Sequence, residues 1–263
     1  MENIYMPFKS KILNIKKHTE TDYTFRMEFN GEVKPGQFFE VSIPKFGESP
    51  ISVSEIGEGY IDLTIRRVGT VTDVIHSFFV GGTLFLRGPY GNGFDVSLYK
   101  DKEVIVAAGG TGLAPVKGIV DYFAKHPEES RNFNLITGFK SPKDILFKDD
   151  LKNWADSISV TLTVDSAEEG YLGNVGLITK YVADIPVINI NEVQVIVVGP
   201  PIMMKFTVAE FIKKGVKEEN IWVSYERKMC CGVGKCGHCK IDDTYICLEG
   251  PVFNYMDAVH LVD

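Results

Sequence analysis

All five cysteines of this 263-residue chain fall in one stretch, "MCCGVGKCGHCKIDDTYICLEGP", residues 229–251. Thiols gathered so closely, with glycines between them, suit a metal or cluster site better than a disulfide framework. The spacing is Cys231-x4-Cys236-x2-Cys239, then seven residues to Cys247. Its first part is the plant-type 2Fe–2S spacing, and four thiolates are the full complement of such a cluster. Gly232, Gly234 and Gly237 allow the loop to wrap tightly and aim backbone N–H groups at sulfur. A structural zinc site would use the same four thiolates, ordinarily as two short Cys-x-x-Cys-like pairs. The seven-residue gap and the single such pair weigh against zinc. Cys230 reads as a packed neighbour, although an exchange of roles between Cys230 and Cys231 stays open. His238 reads as a loop histidine and not a ligand.

Two glycine turns carry a second chemistry. "VIVAAGGTGLAP" sets Gly109, Gly110, Thr111 and Gly112 between a strand and a helix. Glycines let backbone approach a pyrophosphate, and a helix start offers it free N–H groups. The run is not G-x-G-x-x-G, and a tight turn with no ligand is its bland alternative. "VVGPPIMMKF" again ends a strand and opens a helix, and two such turns on one sheet fit a dinucleotide crevice. No Ser-His-Asp or paired-carboxylate constellation stands out and the histidines are scattered, so no side chain is expected to act as catalytic acid, base or nucleophile.

The elements that must position these residues follow from pattern. Residues 1–98 hold alternating runs such as "YTFRMEFNGE", "QFFEVSIP", "YIDLTIRRV" and "GTLFLRG", punctuated by Gly and Pro. This predicts an antiparallel barrel or sandwich. From Glu103 the rhythm changes. "VIVAA" is a buried strand, and Val116, Ile119, Val120 and Phe123 in "APVKGIVDYFAKH" share one helix face. "FNLITGF", "SVTLTVD", "VQVIVVG" and "IWVSYE" then alternate with helix-compatible segments around 147–155, 176–183 and 202–214. Residues 99–224 therefore predict a doubly wound parallel sheet, and 225–263 a small cysteine module. The net charge of −7 and pI near 5.4 argue against nucleic-acid binding. No run of 18 apolar residues predicts a membrane span. The start, "MENIYMPFKSKI", lacks the apolar core of a signal peptide. Together with the clustered thiols, this predicts a reducing, cytoplasmic setting.

"PGQFFEV", "PISV", "VGTVT", "GPYGNGF", "GGTGLAP" and "VGPPIMM", in that order, resemble the ferredoxin–NADP reductase superfamily. The appended cysteine module resembles that of the electron-transfer subunits of dihydroorotate dehydrogenase and of cytosolic hydrogenases. Along "FGESPISVS", "LTIRRVGTVT", "GFKSPKDILF" and "ERKMCCGVGKCGHC" the chain is similar to the B subunits of anaerobic sulfite reductases. The resemblance implies an antiparallel FAD-binding β-barrel, a doubly wound parallel NAD(H)-binding sheet and a C-terminal 2Fe–2S module. It places Pro50, Ile51, Ser52 and Val53 along the flavin ring. Ser49 stands where the superfamily usually has arginine, and Arg66 is the substitute expected at the pyrophosphate. Gly69, Val71 and Thr72 match the phosphate turn. Gly110, Thr111, Gly112 and Pro115 match the nicotinamide-cofactor pyrophosphate turn, while Gly199, Pro200, Pro201 and Met203 match the strip beside the nicotinamide. Val198 replaces a cysteine often found there. Asp165 suits a ribose 2′-hydroxyl, so NADH is expected in preference to NADPH.

The implied path runs from NADH through FAD and a 2Fe–2S cluster held by Cys231, Cys236, Cys239 and Cys247 to partner subunits. The partners expected from the sulfite reductase resemblance are iron–sulfur and sirohaem subunits. In that family the sulfite-reducing site couples sirohaem to a second four-cysteine cluster, and one spare cysteine cannot supply it. The chain is therefore expected to collect electrons and not to reduce sulfite itself. The equivalent subunit of a hydrogenase or dihydroorotate dehydrogenase is the alternative outlet. A non-catalytic module with a zinc knob is the alternative of another class.

Overall fold

Alternation in the first part of the chain closes on itself. In the computed structural model, which describes residues 3–261, six antiparallel strands form a closed barrel. They are β1 (Phe8–Lys17), β2 (Asp22–Glu28), β3 (Phe38–Ile43), β4 (Gly47–Gly57), β5 (Tyr60–Arg66) and β6 (Thr83–Tyr90), in the order β1-β2-β5-β4-β3-β6. Inward-facing Phe25, Met27, Phe39, Ile61, Leu63 and Leu84 are fully buried and fill it. Burial at every second residue is what a strand with one wet face requires. Pairing of β1 with β6, Phe8 opposite Leu86, seals the cylinder and removes both sheet edges. A short helix, α1 (Thr70–Ile75), follows β5.

The second part is a sheet in the order β10-β9-β8-β7-β11-β12-β15. Its strands are β7 (Glu103–Gly109), β8 (Asn132–Phe139), β9 (Ser159–Val164), β10 (Asn174–Val175), β11 (Val193–Val198), β12 (Ile221–Ser224) and β15 (Val252–Asn254). The pairs from β10 through to β12 are parallel. Every residue of β7 is buried, the mark of a strand covered on both faces. The helices are α2 (Leu113–Lys125), α3 (Lys148–Trp154), α4 (Ile178–Val182) and α5 (Pro201–Lys213). Val116, Ile119, Val120 and Phe123 of α2 are all fully buried, as their spacing predicts. From β7 the chain winds to β8 and β9 on one side, then returns to lay β11 on the other. The strand order thus reverses between β7 and β11, where an α/β sheet opens a crevice.

The cysteine stretch carries a hairpin of β13 (Lys240–Ile241) and β14 (Thr244–Tyr245) and a turn of helix, α6 (Ile246–Glu249); α7 (Tyr255–Ala258) follows β15. The chain gathers into two compact units. Residues up to Phe94 join Glu226–Val252, and Asp95–Tyr225 join those from Phe253 onward. The cysteines therefore belong with the barrel, and α7 belongs with the sheet. Among the described residues no helix is long and apolar enough to cross a membrane.

Candidate functional site

No strand or helix runs from Tyr225 to Cys239, so the cysteine loop takes its shape from turns. Gly232 and Gly234 have φ of +75° and +66°, a region costly for other residues. A Cβ on Gly232 would lie 2.6 Å from Cδ2 of Tyr90, and one on Gly234 2.7 Å from Cδ2 of Leu248. Coiled this way, the loop turns its N–H groups inward. Val233, Lys235 and Cys236 donate to Cys231 Sγ at 3.5, 3.3 and 3.5 Å, and Gly234 donates to Cys247 Sγ at 3.2 Å.

These contacts set the thiol chemistry. Burial pushes the Cys231 thiol up, but the three N–H donors and the Cys236 thiol outweigh it and bring it down to about 6. Burial drives Cys247 up to about 12, with Gly234 N–H opposing and Cys239 adding. Cys231 thus neighbours Cys236, and Cys247 neighbours Cys239 and Cys231. Among the described residues the one trio of metal-capable groups whose ligand atoms all lie within 4.8 Å is His126, Glu128 and Glu129, so no three cysteine sulfurs converge that closely. Four thiols spread this far apart suit a binuclear cluster, with two thiolates on each iron. A single zinc ion would need all four sulfurs around one point. Cys230 is half-buried, with Cys236 and Cys231 nearby, and His238 is exposed.

The loop is seated on the barrel by side chains that sequence reasoning passed over. Arg87, 5 % exposed, lies within β6 with all five N–H donors in use. Nε and Nη2 donate to the two Glu48 oxygens at 3.0 and 2.9 Å. Nη2 also donates to the Cys230 carbonyl at 2.8 Å, while Nη1 donates to the Cys231 carbonyl at 2.9 Å and the Tyr90 hydroxyl at 3.1 Å. Five residues on, Asn92 Nδ2 donates to the carbonyls of Glu249 and Val252 at 2.9 and 2.8 Å, and its Oδ1 accepts from Val252 N–H at 3.3 Å. "RGPYGN" therefore grips both ends of the cysteine stretch. The signal available in the sequence was a lone arginine in the apolar strand "TLFLRGPY", since a charge there requires buried partners. Opposite Arg87 in register stands Glu40, fully buried, with neither carboxylate oxygen hydrogen-bonded among the described residues. Burial pushes its carboxyl up to about 7, Glu48 and Cys231 adding and Arg87 opposing.

On the flavin side, Pro50, Ile51 and Ser52 are partly exposed along β4, whereas Val53 turns into the barrel core. Arg66 is tied to Asp22, Nε donating at 2.7 Å and Nη2 at 3.3 Å, with its side chain 38 % exposed. Burial raises the Asp22 carboxyl, but Arg66, Thr19 and Thr21 outweigh it and hold it below its ordinary value. Thr72 is spent within its own turn. Its hydroxyl accepts from Val68 and Gly69 N–H at 2.9 and 3.0 Å and donates to the Gly69 carbonyl at 3.0 Å. It shapes the start of α1, next to Val71, and leaves first-turn N–H groups without helical acceptors. Nothing lies within 4 Å of where a Cβ on Gly69 would stand.

The two glycine turns meet at the carboxyl ends of β7 and β11. A Cβ on Gly112 would fall 2.6 Å from the Val198 carbonyl oxygen and 2.8 Å from Gly199 Cα. Pro200 and Met203 close over Gly109, each reaching within 3.3 Å of the space its Cβ would occupy. Gly110, by contrast, faces open space with nothing inside 4 Å. Gly110, Thr111 and Gly112 lead into α2, which has no side-chain cap, and Pro115 is buried in its first turn. Pro201 opens α5. Asp165, exposed, follows β9; burial pushes its carboxyl up and Lys140 opposes. This arrangement can cradle a pyrophosphate on backbone N–H groups.

Comparison with known proteins agrees with both halves of this geometry. Residues 106–209 match the oxidoreductase NAD-binding domain, and 226–258 match the iron–sulfur cluster binding domain of dihydroorotate dehydrogenase B. The gamma subunit of sulfhydrogenase 1 from Pyrococcus furiosus is 34% identical, over 98% of this chain and 94% of its own length. The chain belongs to this family of NAD-linked flavin and iron–sulfur electron-transfer subunits. Another relative, the probable dihydroorotate dehydrogenase B (NAD(+)) electron transfer subunit of Methanothermobacter thermautotrophicus, is 31% identical over 96% of this chain and 91% of its own. The fold is that of an NADH-dependent reduced ferredoxin-NADP oxidoreductase structure, with a TM-score of 0.78 at 24% identity, covering 94% of this chain and 88% of that one.

Membership bears out the reductase fold, the oxidoreductase assignment and the cofactor set of FAD, 2Fe–2S and NADH. It corrects the emphasis on sulfite reductase. These relatives are a hydrogenase subunit and a dihydroorotate dehydrogenase subunit. The motifs quoted for sulfite reductase lie along β4, from β5 into α1, after β8 and in the cysteine loop.

Proposed function

We propose that this chain oxidises NADH and delivers the electrons singly to a partner subunit of a hydrogenase or dihydroorotate dehydrogenase type of complex. The thiols carry this reading: four clustered cysteines with inward N–H donors, on the same chain as a nicotinamide-cofactor domain. When bound, FAD takes electrons from NADH as a pair and releases them one at a time to the 2Fe–2S cluster.

The chain's own residues bind and orient. Gly110, Thr111, Gly112 and Pro115 present backbone to the NADH pyrophosphate, and Gly199, Pro200, Pro201 and Met203 flank the nicotinamide. Asp165 selects the unphosphorylated ribose. Pro50, Ile51 and Ser52 border the flavin with side chains and backbone, and Val53, its side chain in the barrel core, with backbone alone. Arg66 and the turn of Gly69, Val71 and Thr72 hold its diphosphate. Cys231, Cys236, Cys239 and Cys247 hold the cluster. The stretches 1–98, 99–224 and 225–263 carry FAD, NADH and cluster respectively.

A second outlet, to the iron–sulfur and sirohaem subunits of a sulfite reductase in the cytoplasm, is favoured by the length of the motif resemblance. Anaerobically purified chain should hold about one FAD and one 2Fe–2S cluster. It should pass electrons from NADH to a viologen or ferricyanide and show no sulfite reduction alone. Stoichiometric zinc without iron or labile sulfide would overturn the reading. Restoration of NADH-dependent sulfite reduction by an added sirohaem protein would select the second outlet, and restoration of proton or dihydroorotate chemistry the first.

A further inference from the structure

Arg87 is itself assigned to no cofactor, yet its guanidinium makes five hydrogen bonds. Its two acceptors on the cysteine loop are the carbonyls of Cys230 and Cys231, the backbone that carries the first cluster ligand. Glu48 holds the other side of the guanidinium in a fork, fixing its plane. Tyr90, which accepts from Nη1, packs its ring where a Cβ on Gly232 would stand and donates its hydroxyl to the Ile4 carbonyl at 2.7 Å. Arg87, Glu48, Tyr5, Cys230, Cys231 and Cys236 all line one cleft of about 350 Å³. Glu48 is 35 % exposed there while Arg87 is 5 % exposed, so water screens the anion more than the cation.

We propose that Arg87 is a positioning residue for the cluster: it clamps the Cys230–Cys231 backbone to the barrel and keeps a buried positive charge beside the ligand loop, stabilising the reduced cluster. The proposal rests on the reading of Cys231, Cys236, Cys239 and Cys247 as 2Fe–2S ligands. A cluster gains one negative charge when it takes an electron. A fixed cation nearby lowers the energy of that state, and an anion raises it.

The test uses the whole chain with FAD and cluster in place, titrated anaerobically with redox mediators and followed by the electron paramagnetic resonance signal of the reduced cluster. Arg87→Gln should make the cluster harder to reduce by roughly tenfold in its equilibrium constant, about 59 mV for one electron. Glu48→Gln should move it the opposite way, by a smaller factor. Arg87→Lys keeps the charge but not the fork. It should stay close to wild type in potential while losing iron faster on warming. Unchanged potentials in Arg87→Gln and Glu48→Gln, or shifts of the same sign, would overturn the proposal, because a merely structural clamp predicts no pair of opposite shifts. If Arg87→Gln fails to hold a cluster, Glu48→Gln decides by its sign, and Arg87→Lys by whether retained charge preserves the potential. A wild-type chain without iron would instead sink the ligand reading.

Discussion

The crevice between β7 and β11 and the cysteine loop solve opposite problems. In the crevice the working surface is backbone. Glycines clear space for it, and its precision is inherited from two paired parallel strands, Ala108 opposite Val198. In the cysteine loop the working atoms are side chains, and the backbone behind Cys231, Cys236 and Cys239 belongs to no strand or helix, Cys247 alone standing in α6. Order there comes from N–H groups within the loop and from Arg87, Tyr90 and Asn92 outside it. A rigid scaffold can present a site through small residues, whereas an irregular loop must be gripped by polar side chains from its neighbours. Each region should therefore fail in its own way.

The largest effect is expected at the thiols. Cys236→Ser or Cys239→Ser should abolish the cluster, read as loss of iron and labile sulfide, while FAD stays bound. Cys230→Ser should retain the cluster, because only its carbonyl is engaged by the barrel. Loss of the cluster in Cys230→Ser together with its survival in Cys231→Ser would reverse the assignment of the first ligand.

Next comes the crevice. Gly112→Ala sets a methyl against the Val198 carbonyl at 2.6 Å, a backbone atom that cannot swing aside. Separation of the two turns should weaken NADH binding by roughly tenfold or more, about 1.4 kcal/mol. Stopped-flow reduction of the flavin would show it as a raised half-saturation, with the spectrum of the cluster intact. Normal NADH affinity in Gly112→Ala would mean that the turns need not touch.

The chemistry-bearing types were legible in the sequence and their supports were not. Cysteine is rare, and a Gly-Gly-Thr-Gly run between a strand and a helix is uncommon, so four candidate ligands and a candidate pyrophosphate turn can be picked out by spacing. The α2 face, the barrel's alternation and the sheet's apolar strands could be read from periodicity. Arg87, Asn92 and Glu40 lie in the same strand and turn patterns as dozens of ordinary residues. Their partners are far away in sequence, 143 positions between Arg87 and Cys230. Thr72 shows the converse. Its place in the turn is visible in the sequence, but its hydroxyl is consumed by the turn itself. That the cysteine stretch packs with the barrel while α7 packs with the sheet could not be read from composition, because no linker marks the change.

In the barrel, where Asp22 ties Arg66 down, the effect is expected on stability and not on cofactor binding. The Asp22 carboxyl is held below its ordinary value of 3.8, chiefly against burial, by Arg66, Thr19 and Thr21. Its contribution to stability is thus complete above the unfolded value and is lost as pH falls through the lowered one. Asp22→Asn should cost about 1–3 kcal/mol at pH 7. Chemical denaturation at a series of pH values should show the difference from wild type shrinking below about pH 4. A difference that persists undiminished into acid would mean that packing, not charge, makes the contact.

The smallest effect sharpens the comparison most, because it separates gripping from ligation. Asn92 is exposed and touches no sulfur, yet it holds the carbonyls of Glu249 and Val252, just beyond Cys247. Asn92→Ala should cost about 1 kcal/mol of stability. The cluster should still assemble, but iron should be released faster under a chelator, since Cys247 then sits on a looser segment. Asn92→Asp keeps the acceptor for Val252 N–H and loses both donors, turning a carboxylate toward two carbonyl oxygens. It should release iron at least as fast as Asn92→Ala if the two donated bonds provide the grip. Release at the wild-type rate in both variants would show that the loop's own N–H groups suffice, and that the cysteine loop is as self-supporting as the crevice.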